Sequence, residues 1–305
     1  MTIPVITKPP TPGHLVYQTL TSEVSAKSLV IDLLSTMPPD HPVAVGALVR
    51  AAAMFGIGEN SMRVALARLR TRSLVKSDKR GFYSLSRAAY PVNHEVRGWA
   101  TVERGIAPWD GSYIAVETGG VTRRSARVRD RALRLLGFKA LTLSLQIRPN
   151  NLVGDVDACR ERLLRLGFKN EPIVFRMSCL DLPIERLARG LWDVEQLNAG
   201  YNETRERLSA SALELPGMSS EAAMIESFCV GGEAVRQIVL DPLLPEEIVN
   251  AEARAAMINE MRRYDRLGRE AWKEWAGTTV SLEHSPVDTG TMEPTPKDAL
   301  EVGTV

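Results

Sequence analysis

The sequence predicts an α+β protein with three folded parts between two unstructured ends. The chain has 305 residues, which is too long for one small domain. Apolar residues recur at helical spacing near both ends of the folded region, whereas short strands alternate with helices in its middle. Residues 1–98 carry 12 Lys/Arg against six Asp/Glu, and the remainder carries 26 against 31. The predicted divisions are a flexible arm at 1–24, a first domain at 25–90, a linker at 91–108, a central domain at 109–180, a helical domain at 181–276 and a disordered tail at 277–305.

The composition narrows the class of protein. A hydrophobic content of 44% and a charged content of 25% are ordinary for a soluble globular protein. The three Cys lack a CxxC pair and the four His are dispersed, so we expect neither a metal site nor a cofactor. The N-terminus lacks a basic start followed by an apolar core, and no apolar run is long enough to span a bilayer. We therefore predict a cytoplasmic protein without membrane contact.

Three short helices are predicted at the start of the first domain. The first, at 26–36, is stopped by Pro38-Pro39. A second apolar stripe runs from Val45 to Phe55, and Gly56-Ile57-Gly58 forms a flexible turn before the third helix. Two helices joined by a tight turn that contains glycine are typical of a helix-turn-helix.

The third helix, at 58–72, has two different faces. Met62, Ala65, Leu66 and Leu69 form an apolar stripe. The other face carries Asn, Arg and small residues, which suits a DNA major groove. Arg63 is the best candidate to bind O6 and N7 of guanine, whereas Asn60 is expected to read adenine or to contact phosphate. The helix residues predicted to contact DNA are Asn60, Ser61, Arg63, Val64, Ala67, Arg68 and Arg70.

A basic hairpin follows this helix. Strands are predicted at 74–76 and 82–85, joined by a turn at 77–81. Lys79 and Arg80 at its tip are placed to contact phosphate or the minor groove. The whole order predicts a winged helix-turn-helix domain with double-stranded DNA as its partner. The simpler alternative is a small helical domain with a solvated Arg-rich helix and an incidental hairpin.

The central and C-terminal parts have different patterns. A strand after Gly111, a helix at 123–136, one or two strands at 139–148, a helix at 155–166 and a strand at 173–180 form a weak internal repeat. This order predicts a ferredoxin-like (βαββαβ) domain, whose open sheet offers a face or an edge for dimerisation. The rest, to residue 276, is predicted to be all-helical, with a break at Gly231-Gly232.

Several short motifs follow one another in a fixed order along the chain. They are Phe55-Gly56-Ile57, Trp109-Asp110-Gly111, Arg129-Asp130-Arg131 with Leu135-Leu136-Gly137-Phe138, Leu191-Trp192-Asp193 with Leu197-Asn198 and Tyr201, and Asp241-Pro242-Leu243-Leu244-Pro245. Their order resembles that of the PaaX-type transcriptional repressors of phenylacetate catabolism. The resemblance implies a homodimeric repressor of an aromatic-acid catabolic operon, released from its operator by an acyl-CoA thioester such as phenylacetyl-CoA. Ser73 stands where this family usually carries Gly, so we expect a less sharp turn there.

Two groups of residues are candidates for binding such an effector. Arg123, Arg124 and Arg127 belong to a strongly basic helix, and basic side chains hold the phosphates of CoA well. Salt bridges to acidic residues or to a partner subunit are an equally good explanation of these arginines. Trp192, Tyr201 and also Phe228 can line an apolar acyl pocket, although aromatic residues at helical spacing commonly belong to the core.

Two other classes of protein compete with a repressor. One is an acyl-CoA hydrolase or transferase, and the other is an RNA-binding protein or a nuclease, each carrying a winged-helix head. The sequence contains no GxSxG, HExxH, Walker or glycine fingerprint. We therefore predict no catalytic residues and a protein that is not an enzyme.

Overall fold

The structure is a computed structural model that describes residues 24–37, 41–78, 80–87, 89–119, 123–168 and 172–279. The predicted arm therefore lies outside the described residues except for residue 24. The predicted tail also lies outside them from residue 280 onward. Residues 277–279 still belong to the last helix, so the expectation of disorder from residue 277 is wrong at its start.

The first unit consists of three helices and a small sheet. The sheet is antiparallel with the order β1-β3-β2, and β1 is a short strand that the sequence pattern did not reveal. Ser25 caps the first helix by accepting a hydrogen bond from the backbone N–H of Ser28 at 3.1 Å. The elements are α1 (Ala26–Thr36), β1 (Val43–Ala44), α2 (Val45–Met54), α3 (Glu59–Thr71), β2 (Val75–Ser77) and β3 (Phe82–Leu85).

The core of this unit is built by the apolar stripes of the helices. Met62, Leu66 and Leu69 of α3 are buried against α1 and α2. Leu29 of α1 and Leu48 of α2 are among the side chains that meet them there, each at most 1% exposed. Burial on this side leaves the opposite face of α3 to the solvent.

The turn after α3 is tight although it contains no glycine. Ser73 adopts a φ of 55°, the left-handed conformation. Its N–H donates to the carbonyl of Arg70 at 2.8 Å, and the N–H of Leu74 donates to the carbonyl of Leu69 at 3.0 Å. This pair of bonds is the usual glycine-type end of a helix. The expectation of a less sharp turn at Ser73 is therefore wrong.

Replacing Ser73 by glycine is expected to stabilise the protein. Glycine adopts a positive φ without the steric cost that a side chain incurs, and this gain outweighs its greater freedom in the unfolded chain. We expect the free energy of unfolding of the first unit to rise by about 0.5–1 kcal/mol, measured by urea denaturation. Arg72→Gly is the control, because Arg72 has a φ of −88° and glycine there lowers the stability. Equal effects of the two changes contradict the explanation.

The segment that connects the first unit to the rest is ordered. Helix α4 (Tyr90–Arg97) continues into a 3-10 helix at Gly98–Gly105. Glu95 accepts a hydrogen bond from Arg162 at 2.5 Å. Arg262 donates to the carbonyl of Ala100 at 2.8 Å and to the carboxylate of Glu103 at 2.7 Å. Side chains from two other parts of the protein thus hold this connection.

The central unit is a four-stranded antiparallel sheet with two helices. Its strand order is β5-β6-β4-β7. Ile114 and Val116 of β4 are buried in the cluster that contains residues of α5 and α6, whereas Tyr113 and Ala115 face the opposite cluster. The elements are β4 (Tyr113–Glu117), α5 (Arg123–Leu135), β5 (Lys139–Ala140), β6 (Leu145–Pro149), α6 (Asp155–Arg165) and β7 (Val174–Met177).

The described remainder is helical. Helix α9 runs without interruption through Gly231-Gly232, so the predicted break is wrong. A Cβ at Gly231 would lie 3.4 Å from Met261 and 3.6 Å from Tyr264, which are ordinary contact distances, so this side of α9 packs directly against α10. The elements are α7 (Leu182–Arg189), α8 (Val194–Glu214), a 3-10 turn at Leu215–Gly217, α9 (Ser220–Leu240) and α10 (Ala251–Thr279).

A buried polar cluster joins the central sheet to these helices. The guanidinium of Arg148 on β6 donates to the carbonyl of Pro242 at 3.2 Å and to Oδ1 of Asn151 at 3.2 Å, and it also donates to the carbonyls of Pro149 and Leu136. Burial lowers the pKa of Arg148 to about 10. Asp241 lies 3.8 Å from Arg254, and burial raises its pKa above the ordinary value. The segment at 241–245 is therefore a junction between two units.

Candidate nucleic-acid interface

Helix α3 presents every residue that the sequence predicted for its DNA-facing side. Its apolar side chains are buried, with Met62 and Leu69 at 0% exposure. The opposite face is open to solvent, and Val64 on it is 40% exposed. A helix that buries one side and exposes Asn, Arg and small residues on the other can enter a major groove. The exposed residues are Asn60, Ser61, Arg63, Val64, Ala67, Arg68 and Arg70.

Arg63 forms an ion pair that the sequence analysis did not predict. Oε1 of Glu59 accepts from Nε of Arg63 at 2.7 Å and lies 2.7 Å from its Nη2. Both side chains are more than half exposed. The spacing of four residues between Glu59 and Arg63 was the available signal, since residues i and i+4 are neighbours on a helix. Glu59 therefore orients the guanidinium that is the strongest candidate for contact with a base.

The hairpin after α3 is organised by one carboxylate. Oδ1 of Asp78 accepts hydrogen bonds from the backbone N–H groups of Arg80 and Phe82, each at 2.9 Å. Gly81 completes the turn with a φ of 80°. Arg80 is exposed at the tip, and Lys79 lies outside the described residues. The hairpin can therefore present Arg80 to a phosphate next to α3.

A second basic group lies near the end of α3. Lys27 of α1 is partly buried and close to Arg72. Burial, together with the positive charge of Arg72, lowers the pKa of Lys27 to about 8. An anion bound near these two side chains would raise the pKa of Lys27 again, because a nearby negative charge favours the protonated form. Sequence periodicity did not reveal Lys27, because its proximity to Arg72 depends on the packing of two helices.

The comparisons with known proteins agree on a family. The PaaX-like protein family model matches residues 25–89, which include α1 to α3 and the hairpin. The N-terminal part of the chain is therefore similar to the PaaX-like family. The likeness continues beyond them, because the transcriptional repressor PaaX of Escherichia coli (strain K12) is 27% identical over 260 residues, which cover 79% of this chain and 80% of that protein.

A solved structure has a similar fold. It is the uncharacterized protein Rv0674 from Mycobacterium tuberculosis, which is 20% identical to this chain, with a TM-score of 0.50. The match covers 81% of this chain and 99% of that one. At this identity the likeness concerns the fold alone, and it supports the mixed α+β architecture of this chain.

The residues predicted to bind an effector are not brought together. Arg127 is exposed on α5, and the side chains of Arg123 and Arg124 lie outside the described part of the structure. Trp192 is 4% exposed and Tyr201 is fully buried, both within the core of the helical part. Nε1 of Trp192 donates to the carbonyl of Gly137 at 3.2 Å, just beyond the end of α5.

The length of α5 separates the arginines at its start from the aromatic residues near its end. The 13 residues of α5 extend about 20 Å at 1.5 Å per residue. The arginines lie near the start of this helix, whereas Trp192 contacts the turn after its end. The effector role of either group stays a prediction, and a ligand at the aromatic residues requires the helical core to open.

The described residues hold neither a metal-binding cluster nor a membrane-spanning helix. They contain no cluster of three or more His, Cys, Asp or Glu side chains arranged to hold a metal ion. None of the helices in the described ranges is both long and apolar enough to cross a lipid bilayer.

Proposed function

We propose that this chain is a transcriptional repressor that binds double-stranded DNA through α3 and the hairpin at 75–85. The observation that carries the proposal is the exposed Asn- and Arg-containing face of α3 within the segment that matches the PaaX-like family. Homology to the E. coli transcriptional repressor PaaX supports the regulatory role. A regulator of this kind is not an enzyme, so we expect no turnover of acyl-CoA or RNA.

The arrangement of elements supports the finer fold assignment. Three helices followed by an antiparallel hairpin are the parts of a winged helix-turn-helix, with α3 as the recognition helix. The central order β-α-β-β-α-β, with the strand order β5-β6-β4-β7, is that of a ferredoxin-like sandwich. We propose these two assignments as the architecture behind the DNA-binding function.

Each exposed side chain of the recognition helix has a proposed role. Arg63 donates two hydrogen bonds to one guanine, and Asn60 reads adenine or contacts phosphate. Val64 and Ala67 offer apolar contact to a thymine methyl group. The remaining contacts are to the phosphate backbone, made by Ser61, Arg68, Arg70, Lys79 and Arg80.

We propose a homodimer that leaves its operator, in a phenylacetate-type catabolic operon, when an acyl-CoA thioester binds. The basic start of α5, with Arg123, Arg124 and Arg127, supports contact with CoA phosphates. A thioester that shifts the protein off DNA must bind the DNA-free state more tightly than the DNA-bound state.

The decisive test is a gel shift with the DNA upstream of the protein's own gene. Wild-type protein is expected to retard this fragment at physiological salt, and to retard a scrambled fragment of equal length only at much higher protein concentration. Phenylacetyl-CoA is then titrated against free CoA, acetyl-CoA and phenylacetate, and only the aromatic thioester is expected to release the DNA. Failure to retard any upstream fragment removes the repressor proposal, and turnover of an acyl-CoA or RNA substrate would replace it.

Replacing Glu59 by glutamine is expected to reduce discrimination between DNA sequences. The change removes a negative charge near the phosphates and loosens the hold on Arg63. We expect the ratio of specific to non-specific affinity to fall by about twofold, because an exposed i,i+4 ion pair contributes about 0.3–0.5 kcal/mol. Fluorescence anisotropy with matched and scrambled duplexes measures this ratio. Asp265→Gln is the control, because Asp265 forms a similar i,i+4 pair with Arg269 on α10. A ratio that stays at the wild-type value for Glu59→Gln leaves Glu59 without a part in readout.

A further inference from the structure

Three aromatic rings connect the first unit to the C-terminal helices. Phe55 lies in the turn between α2 and α3, and its ring meets that of Phe228 edge to face at a centroid distance of 5.1 Å. The ring of Trp272 lies 6.1 Å beyond Phe228. Both Phe228 on α9 and Trp272 on α10 pack against the core of the first unit. These distances are those of favourable aromatic pairs.

Phe55 is rigidly connected to the start of α3. Its N–H donates to the carbonyl of Ala52 at 3.0 Å, and the N–H of Ile57 donates to the same carbonyl at 2.9 Å. Gly56 takes a φ of 68°, which reverses the chain immediately before Gly58 and Glu59. Phe55 therefore lies in a hydrogen-bonded turn four residues before the first residue of α3.

The two rings on the C-terminal side are held at a close helix crossing. A Cβ at Gly268 of α10 would lie 3.2 Å from the Cβ of Ser227, the residue before Phe228. Gly268 itself lies one helical turn before Trp272. The absence of a side chain at this crossing lets α9 and α10 approach closely, next to Phe228 and one turn before Trp272.

We propose that Phe228 and Trp272 are positioning residues for DNA recognition. They fix the orientation of α3 relative to the C-terminal helices. The proposal rests on the proposed DNA-binding function and adds that the C-terminal helices set the presentation of the recognition helix. Neither residue touches DNA. The sequence reading placed Phe228 in a possible acyl pocket, whereas the structure gives it Phe55 and Trp272 as neighbours.

The connecting segment supports the same conclusion. Arg262 of α10 holds the 3-10 helix at Gly98–Gly105 through Ala100 and Glu103. Helix α10 therefore contacts both the chain that enters from the first unit and the side of that unit. Loss of the aromatic contact frees one of these two attachments and leaves the other in place.

The test compares Phe228→Ala and Phe228→Leu with wild type and with Leu213→Ala. Leu213 is 82% exposed on α8, so its truncation is a matched control. Phe228→Ala is expected to weaken binding to the upstream DNA fragment by about fivefold to tenfold, the change that loss of an aromatic pair predicts. Binding to scrambled DNA is expected to stay within twofold of wild type, because the phosphate contacts remain. Phe228→Leu retains apolar volume, so its affinity for the upstream fragment is expected to lie between that of wild type and that of Phe228→Ala.

Hydrogen exchange supplies a readout that does not depend on DNA. Amides of Gly56 to Ser61 are expected to exchange faster in Phe228→Ala than in wild type, whereas those of β4 and β6 stay unchanged. Adding Phe55→Ala to Phe228→Ala is expected to cause no further loss of DNA affinity, since both remove the same contact. A general loss of structure would instead raise exchange throughout.

The results distinguish failure of the proposed DNA-binding function from failure of the positioning role alone. Wild-type protein that binds no upstream fragment overturns the proposed function, and the positioning role falls with it. Wild-type binding together with unchanged affinity in both Phe228 variants overturns the positioning role alone. Equal weakening on specific and scrambled DNA also overturns it, because that pattern reflects damage to phosphate contacts.

Discussion

Arg63→Ala is expected to weaken binding to the specific DNA site by about 1–3 kcal/mol, with little effect on random DNA. Arg63 is exposed in the middle of the recognition helix, and Glu59 holds its guanidinium through Nε and Nη2. A guanidinium presented in this way can bond O6 and N7 of guanine together. The measurement is fluorescence anisotropy with the upstream duplex and with a scrambled duplex at several salt concentrations.

Arg70→Ala provides the control for that experiment on the same helix. Arg70 is exposed closer to the C-terminal end of α3, where we expect contact with phosphate. Its loss is expected to weaken binding to both duplexes similarly. The slope of log affinity against log salt concentration is expected to fall by about one, the value of one phosphate contact. Equal losses on the two duplexes for Arg63→Ala would mean that Arg63 also contacts only the backbone.

Arg148→Met is expected to destabilise the protein by about 3–5 kcal/mol. The side chain is 2% exposed and donates to three carbonyls and to Oδ1 of Asn151. Methionine fills most of the volume but leaves these acceptors buried without a donor. It also removes a positive charge that favours the buried carboxylate of Asp241. Urea denaturation followed by tryptophan fluorescence measures the loss.

A surface arginine gives the matched comparison for Arg148. Arg269 pairs with Asp265 on α10 at 2.8 Å and is 54% exposed. Arg269→Met is expected to change the free energy of unfolding by less than about 0.5 kcal/mol, because exposed pairs contribute little. A loss for Arg148→Met as small as that for Arg269→Met would show that the junction at 241–245 does not depend on this guanidinium.

The periodic parts of the chain were predictable from the sequence. The stripe of Met62, Ala65, Leu66 and Leu69 is buried, and the helix carrying it spans Glu59–Thr71. The hairpin appears within one residue of its predicted strands. Local periodicity determines such elements, because each residue's burial follows from its position in the repeat.

Features that depend on long-range contacts were not predictable. Gly231-Gly232 resembles a helix break, but packing against α10 keeps α9 continuous. Ser73 takes a glycine-like conformation, and the hydroxyl of Ser86 on the far side of the hairpin donates to its carbonyl. The two groups of effector candidates separate because α5 lies between them, a distance that no local pattern contains.

The missing side chain at Gly268 has a genetic consequence. Under the proposed function, alleles that abolish regulation need not fall within the codons of the first unit. Any missense change at codon 268 introduces a Cβ about 3.2 Å from the Cβ of Ser227, so the crossing of α9 and α10 must shift by a few tenths of an ångström next to Phe228. A screen for constitutive expression is therefore expected to recover mutants here, nearly two hundred codons downstream of the proposed recognition helix.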